Sequence, residues 1–297
     1  MSKLRILHVG SSMPDDWGGI ERYIATLGRA QIAQGHNVTV AAPGGSPLAM
    51  RWGGPCPDIW LRRKFDIKAL RRYLRLFRSQ KFDVVVTHFS PDFIIPVFAA
   101  RLARAGKTIL TRHLVEPFRR DRTMIYSRLY DGFIGVSEAA ASSLLASGLE
   151  ASRVKAVQGG CQALQSLTNR EVSRSYHAVK GMGVGFFGRL VSEKGVDVLI
   201  EARRLAKADW SVHVFGDGPD RGRLQSLAEG LEVAFHGRVE EVGSAMDAMD
   251  VVAMPSRWSE AFSIAALEAL SLGKPIVASR VGGLPELFVH DSPGQLV

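Results

Sequence analysis

The chain has 297 residues, about two domains of the usual size. Hydrophobic residues make up 46% and charged residues 23%, which excludes disorder, collagen and coiled coil. The net charge of +9 divides into +12 over residues 1–160 and −3 over residues 161–297, so an anionic partner (nucleic acid, membrane surface or phosphorylated substrate) belongs with the front half.

The longest apolar stretches, such as Phe93 to Ala100, fall far short of the ~20 residues that span a bilayer. Lys3 and Arg5 flank a short strand-like run with no cleavage-site pattern after it, so no secretion signal is read. Two cysteines, Cys56 and Cys161, suit a reducing compartment and exclude a disulfide scaffold. The expected location is cytoplasmic.

Short apolar runs recur along the chain with room for helices between them. Leu4–Val9 predicts the first strand. Ile20, Tyr23, Ile24 and Leu27 then form a helical stripe, with Gly35 as its stop. Asn37–Ala42 is the next strand, and Ile67, Leu70, Leu74 and Phe77 the next stripe. Strands follow at Asp83–Thr87, Lys107–Thr111, Gly132–Val136 and Val154–Val157. After a polar segment, Gly159 to Gly183, a strand at Val184–Phe187 leads into a stripe of Val196, Leu199, Ile200 and Leu205. Strands at Trp210–Phe215, Glu232–His236, Val251–Met254, Pro275–Ser279 and Gly294–Val297 complete the set.

Runs apolar on both faces are what helix-covered parallel strands require. Strand–helix alternation predicts an α/β fold of two doubly wound, Rossmann-like domains, with residues 159–183 as the linker. The expected division is 1–165 and 166–297. A doubly wound sheet normally covers its last strand, so the chain is expected to lack its C-terminal helices.

Ligands of open α/β sheets bind at loops leaving the carboxyl ends of strands, and three such loops stand out. Trp17-Gly18-Gly19-Ile20 permits close backbone approach at a helix start, or is an ordinary turn. It is not G-x-G-x-x-G, so a nicotinamide-type site is unsupported. Gly188-Arg189 through Lys194-Gly195 carries a planar cation and a mobile one beside a helix start, which suits a diphosphate or a solvated basic turn. Ser259 to Leu270 holds Glu260 and Glu268, the second among Ile264, Leu267 and Leu270. A carboxylate there is either half-exposed or must be hydrogen-bonded, as ribose hydroxyls would do.

The combination resembles the retaining nucleotide-sugar glycosyltransferases of family 4. Their second-domain signature is Glu-x7-Glu followed by Gly-x-Pro; here it reads Glu260, Glu268 and Gly273-Lys274-Pro275. Further matches are Gly188-Arg189-Leu190 with Lys194-Gly195, Phe215-Gly216-Asp217-Gly218-Pro219, Phe235-His236-Gly237-Arg238-Val239 and Gly282-Gly283-Leu284-Pro285-Glu286. In the first half, Gly18-Gly19, Thr111-Arg112-His113 and Val136-Ser137-Glu138 are similar to family landmarks.

The resemblance implies a GT-B fold, two Rossmann-like domains facing each other across a cleft, and transfer of a sugar with retention from a UDP-, GDP- or ADP-linked donor to a glycan, lipid-linked or small-molecule acceptor. It implies that Arg189 and Lys194 grip the donor diphosphate and Glu268 holds the ribose. Glu260 would contact the transferred sugar, with Phe262 and Ser263 adding backbone contacts. Gly19 would approach the phosphates, His113 would face the donor sugar, and Arg238 would lie near the base. Two departures stand out: the family's Phe-Gly is Phe262-Ser263 here, and its Asn-Gly-Val-Asp is Gln158-Gly159-Gly160-Cys161-Gln162. No Asp-x-Asp occurs, so no metal or other cofactor is expected. Without an obvious carboxylate nucleophile, attack on the same face as the leaving phosphate is the favoured route to retention.

The alternatives are a nucleotide-sugar 2-epimerase of the same fold and a non-catalytic basic binding protein. Arg62, Arg63, Lys64, Lys68, Arg71, Arg72, Arg75, Arg78 and Lys81 form either a solvated helix face or an electrostatic dock for an anionic membrane. Nucleic acid is not expected, since no aromatic-interleaved basic motif or zinc spacing supports it.

Overall fold

Strands that must be buried on both faces need apolar side chains at odd and even positions alike, and this chain supplies them. In a computed structural model, which describes residues 2–10, 17–63, 66–288 and 294–297, these runs form two six-stranded parallel sheets. The chain divides into two units, Met1–Gly160 and Cys161–Val297.

The first unit runs β1 (Arg5–Val9), α1 (Gly19–Ala33), β2 (Asn37–Ala41), α2 (Pro47–Trp52), α3 (Ile67–Ser79), β3 (Val84–Thr87), α4 (Ile95–Leu102), β4 (Lys107–Arg112), α5 (Arg120–Leu129), β5 (Gly132–Gly135), α6 (Glu138–Ala146) and β6 (Val154–Ala156). Its sheet order is β2-β1-β3-β4-β5-β6. Ile6, Val38, Val40 and Val86 pack with Ile24 of α1 and Trp52 of α2 on one face. Leu7, Val9 and Val85 pack with Tyr73 and Phe77 of α3 on the other.

The second unit runs α7 (Arg170–Tyr176), β7 (Met182–Phe187), α8 (Val196–Leu205), β8 (Trp210–Phe215), α9 (Arg221–Leu227), β9 (Val233–Gly237), α10 (Val242–Asp247), β10 (Val251–Met254), α11 (Ile264–Ser271), β11 (Ile276–Ala278) and β12 (Gly294–Leu296). Its order is β12-β11-β10-β7-β8-β9. Phe187, Phe215, Val252 and Met254 face one core; Phe186, Val212 and Val214 face the other with Ile200 of α8. Among the described residues, no helix is long and apolar enough to cross a membrane.

All twelve expected strands are present, but two helix stripes and the linker need correction. In α3 the buried face is Ala69, Tyr73, Leu76 and Phe77, while Ile67 is 65% exposed. Small Ala69 and aromatic Tyr73 turn the helix about a quarter turn from the aliphatic stripe. Leu205 is 80% exposed because, nine residues after Val196, it lies on the opposite side of α8. The expected linker contains α7, capped by the Asn169 side chain on Glu171 N–H at 2.8 Å. This short helix lacks an apolar stripe because polar bonds hold it: Arg174 pairs with Asp250 at 2.8 Å and donates to the Ala248 carbonyl at 2.9 Å. The segment before it also belongs to the second unit, through Leu164 N–H on Ser271 Oγ and Leu167 N–H on Ser244 Oγ, each at 3.1 Å.

Candidate active site

Each sheet reverses its strand order once, between β1 and β3 in the first unit and between β7 and β10 in the second. Connections on the two sides of such a point leave in opposite directions and open a crevice at the carboxyl ends of the strands. In the second unit Val184 of β7 pairs with Val251 of β10, so the Arg189 loop and the Glu260 loop leave side by side.

Backbone contacts lock these two loops together. Gly195 has φ +66°, and a Cβ there would lie 1.9 Å from the Pro255 carbonyl oxygen. Glu193 accepts the Arg257 N–H at 2.9 Å. Lys194 is thereby held with its Nζ 2.9 Å from Glu260 Oε1; the two side chains are 34% and 9% exposed. The Ser256 hydroxyl donates to the same Glu260 oxygen. Glu260 Oε2 takes no partner among the described residues, and the Lys194 ammonium keeps donors beyond the one on Glu260.

The loop after β11 supports Glu260 from behind. Gly282 has φ +56°, and a Cβ there would lie 2.2 Å from the Glu260 carbonyl oxygen, which accepts the Gly283 N–H at 2.6 Å. The Gly282-Gly283 match therefore has a physical reason: only a bare backbone fits against Glu260.

Arg189 is exposed in the loop after β7. Its neighbours are fixed by backbone bonds, Gly188 N–H to Phe215 O at 3.0 Å and Leu190 N–H to Asp217 O at 2.9 Å. Gly216 N–H then reaches Gly237 O at 2.7 Å, so the glycine turns after β7, β8 and β9 form one connected rim. Arg238 follows on that rim, two strands from β7, and is exposed. Ser263 caps α11 by accepting the Ala266 N–H at 3.3 Å, and Phe262 beside it is half-buried. Glu268, one turn further on, is 2% exposed, which rules out the half-exposed reading. It lies between buried Ala266 and Ala269 and makes contacts of its own within the structure.

The second unit therefore brings Arg189, Lys194, Glu260, Phe262, Ser263 and the start of the Glu268 helix to one end of neighbouring strands. Gly19 and His113 belong to the first unit. Gly19 is the exposed first residue of α1, and the Gly18 N–H before it donates to Glu21 Oε2 at 2.9 Å. The helix thus already carries a carboxylate at its start, leaving less of its field for another anion there. His113 follows β4, half-buried, with its Nε2 3.2 Å from His88 Nδ1 and the Tyr23 ring 4.9 Å away edge-on. Burial, and then the Arg112 charge, lowers its pKa to about 3, so the ring is neutral at physiological pH.

Ser256, His8 and His88 were not among the sequence candidates. A lone serine in a loop carries no signal. His8 and His88 did offer one, as polar residues in Leu-His-Val and Thr-His-Phe runs at the ends of adjacent strands. Among the described residues, no three His, Cys, Asp or Glu side chains group as metal ligands. Cys56 and Cys161 are unbridged and half-buried. Of the basic segment, Arg62, Arg63, Lys68, Arg71, Arg72, Arg75, Arg78 and Lys81 are all exposed; Lys64 lies outside the described residues.

Comparison with known proteins agrees with this geometry in both units. The Glycosyltransferase Family 4 model matches residues 17–162, and the Glycosyl transferases group 1 model matches residues 181–297. The chain belongs to the family 4 type of glycosyltransferases. A D-inositol 3-phosphate glycosyltransferase of Corynebacterium urealyticum is 38% identical over 130 residues, 38% of this chain and 30% of that protein. An uncharacterized glycosyltransferase of Methanocaldococcus jannaschii, MJ1178, is 33% identical over 116 residues, 37% of this chain and 32% of that protein. The matched segment thus spans only about a third of these curated relatives. Among solved structures, Anabaena HepE in complex with UDP-glucose has a TM-score of 0.85 at 20% identity, covering 99% of this chain and 85% of HepE. At that identity the likeness establishes the two-domain α/β fold of this family 4-type glycosyltransferase.

Proposed function

We propose that this protein transfers a sugar from a nucleotide-sugar donor to a glycan, lipid-linked or small-molecule acceptor, with retention of anomeric configuration and without a metal ion. The observation that carries the reading is the Lys194–Glu260 pair beside the Arg189 loop, at the strand-order reversal of the second sheet, with Glu268 buried on the adjoining helix. A departing nucleoside diphosphate needs its new charge neutralised. Arg189 offers a planar fork of donors, and Lys194, oriented by Glu260, offers a point charge with donors to spare. The first-turn amides of α11 add a helix N-terminus at the same end of the sheet. Fixed donors in a site with little water gain strength from the lowered dielectric.

Glu268 is assigned to the ribose hydroxyls, Glu260 Oε2 to a hydroxyl of the transferred sugar, and the rim at Arg238 to the base. Phe262, Ser263 and Gly19 would contribute backbone contacts to the donor. His113 keeps the sugar contact that the family resemblance gives it. No carboxylate is placed as an evident nucleophile, and same-face attack guided by the leaving phosphate accounts for retention. HepE was solved with UDP-glucose, which makes a uridine donor the first to try.

The exposed cations from Arg62 to Lys81 support a peripheral contact with an anionic membrane on the cytoplasmic side, each adding about 1 kcal/mol near a charged leaflet. The test is incubation of the chain with UDP-, GDP- and ADP-linked sugars, with and without a glycan or glycolipid acceptor, following diphosphate release and product anomer by NMR. Acceptor-dependent transfer with retained configuration is expected. Inversion, or conversion of the donor to an epimeric nucleotide sugar with no acceptor, would overturn the reading.

A further inference from the structure

A file of hydrogen-bonded side chains runs beneath α1 in the first unit. Gln31, near the end of α1, places its Oε1 2.8 Å from His8 Nε2. His8 Nδ1 lies 2.9 Å from His88 Nε2, and His88 Nδ1 lies 3.2 Å from His113 Nε2. The sheet explains the alignment. His8 shares its face of β1 with Ile6; His88 and His113 continue the same faces of β3 and β4 beyond Val86 and Ile109. The order β1-β3-β4 sets the three rings next to one another, and Tyr23 and Gln31, eight residues apart on one face of α1, sit over the two ends.

All three rings are neutral at physiological pH. Burial lowers His8 to about 4 and His113 to about 3, and His88 also falls well below the usual histidine value. A neutral imidazole has one N–H and one lone pair. Three such rings in file have two self-consistent arrangements, with every N–H pointing toward Gln31 or every N–H pointing away. With its carbonyl oxygen turned to His8 Nε2, as the amide is assigned, Gln31 selects the first, because an acceptor there requires a proton on that nitrogen; the amide turned over would select the second. His8 Nδ1 must then accept from His88 Nε2–H, and His88 Nδ1 from His113 Nε2–H.

We propose that Gln31 is a positioning residue which, through His8 and His88, fixes His113 as the Nε2–H tautomer with Nδ1 as a hydrogen-bond acceptor. That nitrogen has no partner among the described residues. It can take the hydrogen of a sugar hydroxyl, whereas the reversed file would present an N–H and need an acceptor. The catalytic consequence rests on the reading of His113 as a sugar contact; the tautomer itself does not.

The test is a two-bond proton–nitrogen correlation spectrum of the full chain labelled with ¹⁵N-histidine, which separates the two neutral tautomers. Wild type is expected to show Nε2–H at His8, His88 and His113. Gln31→Leu, which cannot accept, gives a tautomer mixture at His113 and lowers kcat roughly fivefold, the worth of one ordinary hydrogen bond, with KM for the nucleotide sugar unchanged. Gln31→Lys, which can only donate to His8, converts His113 to Nδ1–H. The proposal is overturned by Nδ1–H at His113 in wild type, a result that needs no variant to fold. A His113 tautomer that neither substitution moves overturns it equally. The expected tautomers in a chain without sugar-transfer activity would uphold the file and sink the transferase reading alone.

Discussion

Replacing Lys194 by Met separates what this side chain does for the fold from what it does for a bound diphosphate. The Lys194–Glu260 contact is 2.9 Å long, and its partners are 34% and 9% exposed, between a surface pair and a buried one. Exposed pairs contribute about 0–1 kcal/mol, whereas breaking a fully buried pair costs about 3–5 kcal/mol. Ser256 still donates to Glu260 in the variant, so a stability loss of about 1–2 kcal/mol is expected. In a chain of this size that is a few degrees in Tm. The effect on turnover should be far larger. Loss of one fixed donor to charge developing in the transition state costs about 3 kcal/mol, roughly a hundredfold in kcat/KM. Thermal unfolding and steady-state diphosphate release, on the same preparations, read the two quantities. A Tm shift with turnover within twofold of wild type would show that Lys194 only braces the Glu260 loop, and the diphosphate assignment would fail.

Gly195→Ala places a methyl group against the Pro255 carbonyl at a positive φ, and should cost more than about 1 kcal/mol in thermal unfolding; Gly222→Ala, in helix α9 with open space around it, should be neutral or slightly stabilising. Glu268→Ala should weaken nucleoside diphosphate binding about tenfold in calorimetry, and unchanged affinity would remove the ribose assignment. The low histidine pKa values imply an acid-side loss of stability. His8 titrates near 4 when folded because burial outweighs its bond to Gln31, against 6.5 when unfolded. The unfolded chain therefore binds more protons between these values, so this stabilisation is complete above pH 6.5 and declines toward pH 4, by up to about 1.4 kcal/mol per pH unit for His8 alone. Urea unfolding at pH 7.5, 6 and 5 reads it, and a flat profile would contradict burial of the neutral ring. Charge reversal at Arg71, Arg75 and Arg78 should abolish binding to phosphatidylserine vesicles; if the wild-type chain also fails to bind, the membrane reading falls.

The strands were legible because burial on both faces leaves a continuous apolar run, as in Val251–Met254, that needs no knowledge of neighbours. Helix α3 was legible in extent but not in orientation, since Ala69 and Tyr73 carry its buried face and a search for aliphatic periodicity passes over both. Helix α7 was hidden because Arg170 and Arg174 hold it through Asp250, an acid 80 and 76 residues away in the chain. The same distinction holds in the site. Arg189, Lys194 and Glu260 sit in loops after predicted strands and could be read as a group. Ser256 and the Gln31–His8–His88–His113 file could not, because the first needs the loop's path and the second needs the order β1-β3-β4. Burial of Glu268 was an open alternative until the packing of α11 decided it.

In the proposed function, the second unit binds the donor through the loops after β7 and β10. A crystal structure of the chain with UDP, or with whichever of UDP, GDP and ADP gives the largest thermal shift, tests it most directly. The expected result is the diphosphate within hydrogen-bonding distance of Arg189 and Lys194 and the ribose on Glu268. A nucleotide seated away from all three side chains would contradict it.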